Sequence, residues 1–333
     1  MRVYGLLIKA VVPERWRPLL RGVAGYKPYR FTTFYRSARR WRRKQWQALR
    51  RAAPFPTSLV YFGFRYKCLF CRGHFRKFLP CGHKHSVLKD VNVVGAGYRL
   101  NCRCPRCRSR DKERLLYLYL VNDTDVFDDH VRLLHVAPER NLSKEFSRHR
   151  NIDYLTADLN PNAGTGKVMV KMDVTDIQYG DDSFDAVVCS HVLEHVSDDR
   201  KAISEFYRTL KPGGWAILQV PLSLSLNSTF EDSAITTREE REKAFGQADH
   251  VRLYGKDYKD RLEEVGFTVE EFKWTKSSER YGGPANRYGL NENEIVYCAS
   301  KPKSSTNVAG SYPGSSEERA RNAFASCSDG QER

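Results

Sequence analysis

The chain has 333 residues, 41% hydrophobic and 29% charged, a globular composition with room for about two domains. No run of about 18 apolar residues occurs, which argues against a membrane-spanning helix. The formal charge of +16 is unevenly spread: residues 1–54 hold 15 Lys/Arg against a single acid, Glu14, so +14 belongs to that segment and +2 to the other 279 residues. The body is nearly neutral, and the basic character marks an N-terminal arm attracted to anionic lipid or nucleic acid.

The chain opens MRVYGLLIKAVVPERW. Its apolar stretch is short, broken by Lys9 and ended at Pro13-Glu14 without a small-residue cleavage site, so no secretory signal is expected. A cytoplasmic location is expected, with peripheral contact at the inner membrane surface. Residues 1–57 form the arm. Wound as a helix, Phe34 to Arg51 puts Phe34, Tyr35, Trp41 and Trp46 on one arc and most of its Arg on the other. That pattern suits a helix lying in an anionic membrane interface. It equally suits a helix docking its Trp face on the catalytic domain; RNA contact is a third reading.

Residues 58–108 hold short strand-like runs and two pairs, Cys68-x2-Cys71 and Cys104-x2-Cys107. Each CxxC turn sets two thiolates on one side of a metal, and two such turns close a tetrahedron, which favours a structural Zn2+ with no open position. Cys81, Cys102, His74, His83 and His85 are alternative ligands. The segment is read as a zinc-ribbon-like module. Residues 109–130 follow as a connecting helix, with Ser109 expected at the N-cap, Asp111 and Glu113 in its first turn, and Leu115, Leu116, Tyr119 and Leu120 on its apolar side.

From Val131 the pattern alternates. Strand-like runs occur at VRLLHVA, IDYLTAD, KVMVKMD, FDAVVCS, GWAILQV, FTVEEFKW and EIVYCAS, with helices between, notably Ser197 to Leu210 and Gly255 to Val265. This alternation predicts an α/β domain over 131–301, a Rossmann-like, seven-stranded, mostly parallel sheet with helices on both faces. Residues 302–333, rich in Ser, Gly and charge, are read as a disordered tail. NAGTGK at 162–167 is read as a turn.

The stretch DDSFDAVVCSHVLEHVSDDRKAISEFYRTLKPGGWAILQVP carries the chemistry. Phe184 to Ser190 reads as a buried strand whose end presents Ser190, His191, Glu194 and His195 at a carboxyl edge, where open α/β sheets bind ligands. Ser197 is expected to cap the next helix, and Lys211-Pro212-Gly213-Gly214 to stop it and turn into the next strand. This block resembles the methyltransferase-type-11 branch of class I S-adenosylmethionine-dependent methyltransferases, over about Val131 to Lys301. CPRCRSRDKERLLYLYL, LHVAPE and FGQADHVRLYGKDY resemble a subfamily with an N-terminal CxxC…CxxC ribbon and an APE-type first loop.

The resemblance implies S-adenosylmethionine as cofactor. It implies that Asp158 binds the ribose hydroxyls, that Asp173 contacts the adenine amino group with Val174 beside it, that Ser190 binds the cofactor, and that His191 faces the methyl group. The loop after the first strand departs from the family. In LLHVAPERN, His135 stands where an acid is usual and Ala137 lies in a turn without glycine. Glu139 is then expected to take the methionine ammonium. His250 lies between the fifth and sixth strands, where a substrate lid is common; it and His191 are the candidate bases, and His195 reads as structural. The methyl acceptor is expected to be a small molecule, glycan or lipid-linked substrate. RNA is the alternative. A non-catalytic binding module with this fold is a third reading, against which Asp158, Asp173 and LEHV count.

Overall fold

The computed structural model describes residues 59–161 and 170–303. The basic arm, the NAGTGK turn and the tail from residue 304 lie outside the described residues.

The N-terminal module consists, in chain order, of β1 (Phe62–Lys67), β2 (His74–Phe75), β3 (Leu79–Cys81), helix α1 (Ser86–Asp90), β4 (Val93–Val94) and β5 (Arg99–Arg103). β1 pairs antiparallel with β2, and β3 with β5. Cys68, Phe75, Phe78 and Cys104 make its small core. Cys81 and Cys102 form a disulfide between β3 and β5.

Helix α2 (Asp111–Asp123) leads into the main sheet. Ser109 does not cap it: the N-cap position is Arg110, whose N–H donates to Glu113 at 3.3 Å. Ser109 is buried instead, its hydroxyl 3.3 Å from the sulfurs of Cys68 and Cys107. A hydroxyl beside two thiols has nearer partners than a helix N-terminus. Asp111 is taken by Arg99 through two hydrogen bonds, 2.7 and 2.9 Å long. Arg114, fully buried, donates to the carbonyls of Ser109, Cys102, Tyr288 and Gly289 at 2.7–2.9 Å and lies over Phe78. It ties the module to the segment that precedes the last strand.

The remaining elements are β6 (Val131–Val136), α3 (Arg140–Phe146), β7 (Ile152–Asp158), β8 (Val170–Lys171), β9 (Phe184–Ser190), a 3-10 turn (Leu193–His195), α4 (Asp199–Thr209), β10 (Leu210–Gln219), β11 (Leu222–Ser223), β12 (Phe230–Glu231), α5 (Arg238–Phe245), β13 (Arg252–Leu253), α6 (Tyr258–Glu263), β14 (Thr268–Phe272), a 3-10 segment (Trp274–Tyr281) and β15 (Val296–Ser300). The seven-stranded sheet runs β14-β15-β10-β9-β6-β7-β8. β15 is antiparallel to both neighbours; the other pairs are parallel. This is the mixed α/β, mostly parallel sheet that the strand-helix alternation predicts.

Side-chain alternation explains the two covered faces. Leu134 and Val136, Val187 and Cys189, Ala216 and Leu218 point to one face, under Ala202, Ile203 and Phe206 of α4 and Tyr258 and Leu262 of α6. Leu133, Ala186, Val188 and Ile217 point to the other, under α2, Leu142 and Phe146 of α3, Trp274 and Tyr281. Each fully buried Val or Leu contributes about 1.5–3 kcal/mol, so the central strands anchor the domain.

Two local expectations change. Asp198, not Ser197, caps α4, accepting from the Lys201 N–H at 2.9 Å; the Ser197 carbonyl is held by Arg252 instead. The Lys-Pro-Gly-Gly stretch is a bulge inside β10 rather than a turn before it. Pairing jumps from Leu210↔Phe184 to Trp215↔Ala186, and Gly213 is left-handed at φ +82°. Pro is tolerated in a sheet at such bulges. β11 pairs with β4, Leu222 opposite Val94, and so joins the module to the loop after β10.

Candidate active site

Strand order reverses between β6 and β9, and an open α/β sheet forms its ligand crevice at the carboxyl ends there. β6 ends in a sharp turn. Ala137 is left-handed at φ +47°, the conformation glycine adopts most easily. Pro138 follows, and Glu139 occupies the N-cap position of α3, yet its side chain caps no backbone N–H.

Glu139 is held by His135 instead. His135 is fully buried, with Nε2 2.9 Å from Glu139 Oε2 and Nδ1 2.8 Å from the Tyr154 hydroxyl. The carboxylate can only accept, so Nε2 carries the proton and Nδ1 accepts from Tyr154. Burial opposes the Glu139 charge, but His135, Lys112 and Ser190 outweigh it and hold the carboxyl down at about 2. His135 therefore sits behind Glu139, with both ring nitrogens engaged by the protein.

The other sequence-selected groups line up along the same edge. Asp158 ends β7, half-buried, with Oδ1 accepting from the Asn160 N–H at 2.8 Å. Asp173 follows β8, its Oδ1 accepting from the N–H and hydroxyl of Thr175, which lowers its pKa. Val174 is buried in the core beside it. Ser190 ends β9, and its side chain reaches Glu139.

His191 is a second left-handed non-glycine residue, at φ +58°. Its Nδ1 is 3.2 Å from Glu194 Oε1, while Nε2 is buried without a partner. Gly95 of the module faces this ring so closely that a Cβ there would come within 3.1 Å of it. Burial, with Lys112 nearby, pushes the His191 pKa down although Glu194 pulls it up. His250, buried, precedes β13 and stands edge-on to His195, ring centres 4.7 Å apart. Burial pushes its pKa to about 4, so it is neutral at pH 7.

Three groups in the crevice escaped sequence reasoning. Lys112, on the first turn of α2, has its amine pushed to about 8 by burial, partly offset by Glu139. Glu194 and Glu294 are both buried. Nothing in the sequence separates Lys112 from a solvated helix lysine. Glu194 was visible at the strand's end but carried no assigned role. Glu294 is signalled by nothing at all.

The four CxxC thiols converge. Cys68 lies 3.4 Å from Cys107 and Cys71 lies 3.7 Å from Cys104, sulfur to sulfur, and all four sulfurs lie within 4.8 Å of one another. Thiolates bound to one ion at about 2.3 Å stand about 3.8 Å apart, so the four sulfurs are spaced as a closed tetrahedral shell would require. Cys81 and Cys102 are joined to each other, and His74, His83 and His85 stand outside the sulfur cluster.

The chain is 46% identical over 57 residues to a demethylmenaquinone methyltransferase of Clavibacter sepedonicus, covering 17% of this chain and 23% of that protein. It is 46% identical over 46 residues to the demethylmenaquinone methyltransferase of Streptomyces avermitilis, covering 14% and 20%. The chain thus matches less than a quarter of the length of either relative. Among solved structures, an S-adenosylmethionine-dependent methyltransferase from Mesorhizobium loti aligns with 18% identity and a TM-score of 0.38, over 57% of this chain and 97% of that one. One from Archaeoglobus fulgidus aligns with 16% identity and a TM-score of 0.37, over 56% and 94%. Residues 139–218, which run from Glu139 through Asp158, Asp173 and the His191–His195 turn, match the methyltransferase domain family.

Proposed function

We propose that the chain is an S-adenosylmethionine-dependent methyltransferase with a structural zinc at Cys68, Cys71, Cys104 and Cys107. The observation that carries this reading is the row of acids at one sheet edge: Glu139 after β6, Asp158 at the end of β7 and Asp173 after β8. Bound there, the cofactor supplies a methyl group on a sulfonium, open to in-line displacement.

The protein's own groups bind and orient. Glu139, kept ionised by His135, accepts from the methionine ammonium. Asp158 accepts from the ribose hydroxyls and Asp173 from the adenine amino group, with Val174 packed below. Ser190 steadies Glu139, and His191 faces the acceptor from the strand end. Positioning alone supplies up to about 7–11 kcal/mol in model displacements. A base adds roughly 10²–10⁴-fold for an oxygen or nitrogen nucleophile. His191 fits that role better than His250, whose pKa near 4 makes it a weak proton acceptor.

For the acceptor we favour a small molecule, glycan or lipid-linked substrate. Two observations support it: the names of the two relatives, and Gly95 of the module closing over His191. Among the described residues no helix is long and apolar enough to cross a membrane. The proposed contact with an anionic membrane surface is assigned to the basic arm.

Calorimetry with S-adenosylhomocysteine tests the reading. Asp158→Ala is expected to weaken binding by roughly 2–4 kcal/mol, since charge-assisted hydrogen bonds are worth about 1.5–3 each. No binding by the unmutated chain at millimolar ligand would favour a non-catalytic module. An untargeted search with labelled S-adenosylmethionine would identify the acceptor.

A further inference from the structure

We propose that Glu194, His195 and His250 form a second metal site, which takes a divalent transition ion beside the methyl-transfer crevice. One ligand atom from each residue lies within 4.8 Å of the others. Two of the three side chains are buried, and each leaves one polar atom with no partner: Oε2 of Glu194 and Nδ1 of His250. A buried unsatisfied group costs about 1–3 kcal/mol. An acid and an imidazole left open within one such cluster are satisfied together by a cation.

The remaining ring and carboxylate atoms are arranged as second-shell contacts to metal ligands usually are. A ligating histidine donates its other N–H to a carbonyl or carboxylate, which fixes tautomer and orientation. His195 Nδ1 lies 3.1 Å from the Asp249 carbonyl, which leaves Nε2 free, 4.0 Å from the Glu194 carboxylate. His250 Nε2 lies 2.7 Å from the Gln247 side-chain amide, whose oxygen accepts when turned toward the ring. Glu194 Oε1 is held by His191, which leaves Oε2 for the ion.

The backbone holds both ligand-bearing segments in register. The Val251 N–H donates to the Glu194 carbonyl at 2.9 Å. Arg252 donates to the carbonyls of Leu193 and Ser197 and pairs with Glu231. The 3-10 turn and the strand start that carry the ligands are therefore locked together before any ion arrives.

Two imidazoles and one carboxylate suit Mn2+, Fe2+, Co2+ or Zn2+ better than Mg2+ or Ca2+, which prefer oxygen. Three protein ligands leave positions open, unlike the four-sulfur shell. The use of those positions, though not the site itself, rests on the methyltransferase reading: they suit an oxygen atom of the methyl acceptor. In this role His250 is a ligand rather than a base.

The test uses the full-length chain, washed with a mild chelator and dialysed against Mn2+ or Zn2+. Bound Mn2+ is read by electron paramagnetic resonance and total metal by elemental analysis. The unmutated protein is expected to hold one more ion per chain than Glu194→Gln or His195→Gln, with at least a tenfold loss of Mn2+ affinity in each variant. His195 is exposed, so its substitution spares the core; retained metal at the four cysteines confirms that each variant folds. Equal metal content in wild type and variants overturns the site. S-adenosylhomocysteine calorimetry on the same preparation separates the two readings. A second ion without cofactor binding leaves the site standing and ends the methyltransferase reading; cofactor binding without the ion does the reverse.

Discussion

Glu139 sits at a helix N-cap and caps nothing, and the reason lies one turn back, in His135. A buried imidazole must satisfy both nitrogens, and Tyr154 and Glu139 do so. The carboxylate is thereby fixed and charged at the end of β6. Glu139→Gln keeps the shape and removes the charge. It is expected to weaken S-adenosylmethionine and S-adenosylhomocysteine alike by about 1–3 kcal/mol, and adenosine hardly at all, as calorimetry would show. Equal losses for adenosine would make Glu139 a support of the fold. The same residue sets an acid limb of stability. Its folded pKa of about 2 lies below the ordinary Glu value, so its ionised form favours the native state. That stabilisation, of about 3 kcal/mol, is complete above about pH 4.5 and is lost as pH falls through 2. Urea titrations at stepped pH should show a shallower loss between pH 5 and 2 for Glu139→Gln than for the parent. The positions of Glu139, Asp158 and Asp173 after their strands were legible because a strand's end is local in sequence. The positions of Lys112 and Glu294 were not, because their meaning comes from residues as far apart as the first turn of α2 and the segment before β15.

Among the elements, the long strands were legible and the short ones were not. β6, β7, β9, β10, β14 and β15 alternate or run apolar over five residues or more. β11, β12 and β13 have two residues each and exist only through their pairing with other segments. Helix α2 was legible by its leucines, yet its main structural residue is Arg114. A charge buried without a carboxylate is stable here because four carbonyls receive it. Two of these, from Ser109 and Cys102, belong to the module side, and two, from Tyr288 and Gly289, precede β15. Arg114→Met fills the volume but strands those carbonyls. Hydrogen bonds to charged groups are worth about 1.5–3 kcal/mol each, and partial relaxation should leave a net loss of about 3–5 kcal/mol, read as a lower urea midpoint. A loss below about 1 kcal/mol would mean that water replaces the guanidinium and that the strut is dispensable.

At the scale of the whole molecule, the described part of the chain is a rigid sheet with a smaller module laid against its ligand edge. The two differ in what holds them. The sheet buries two apolar faces. The module has a core of only a few side chains around the four thiols, and small cores of this kind depend on a metal or disulfide. It reaches the crevice at three places: β4 pairs with β11, Leu88 of α1 packs against Gly246, and Gly95 faces His191. Removing the proposed zinc with a strong chelator is therefore expected to act beyond the cysteines. Amide exchange should accelerate over Phe62–Arg103, at Leu222–Ser223 and around His191, while β6, β9 and β10 stay protected. Affinity for the proposed cofactor should fall with it, because Lys112 lies in the first turn of the helix that follows Cys107 and its charge acts on Glu139. Loss of protection in all strands together would make the module an inseparable part of one folding unit. Unchanged exchange, in protein shown to have lost its metal, would mean that the disulfide between Cys81 and Cys102 and the Arg114 contacts suffice to hold the module in place.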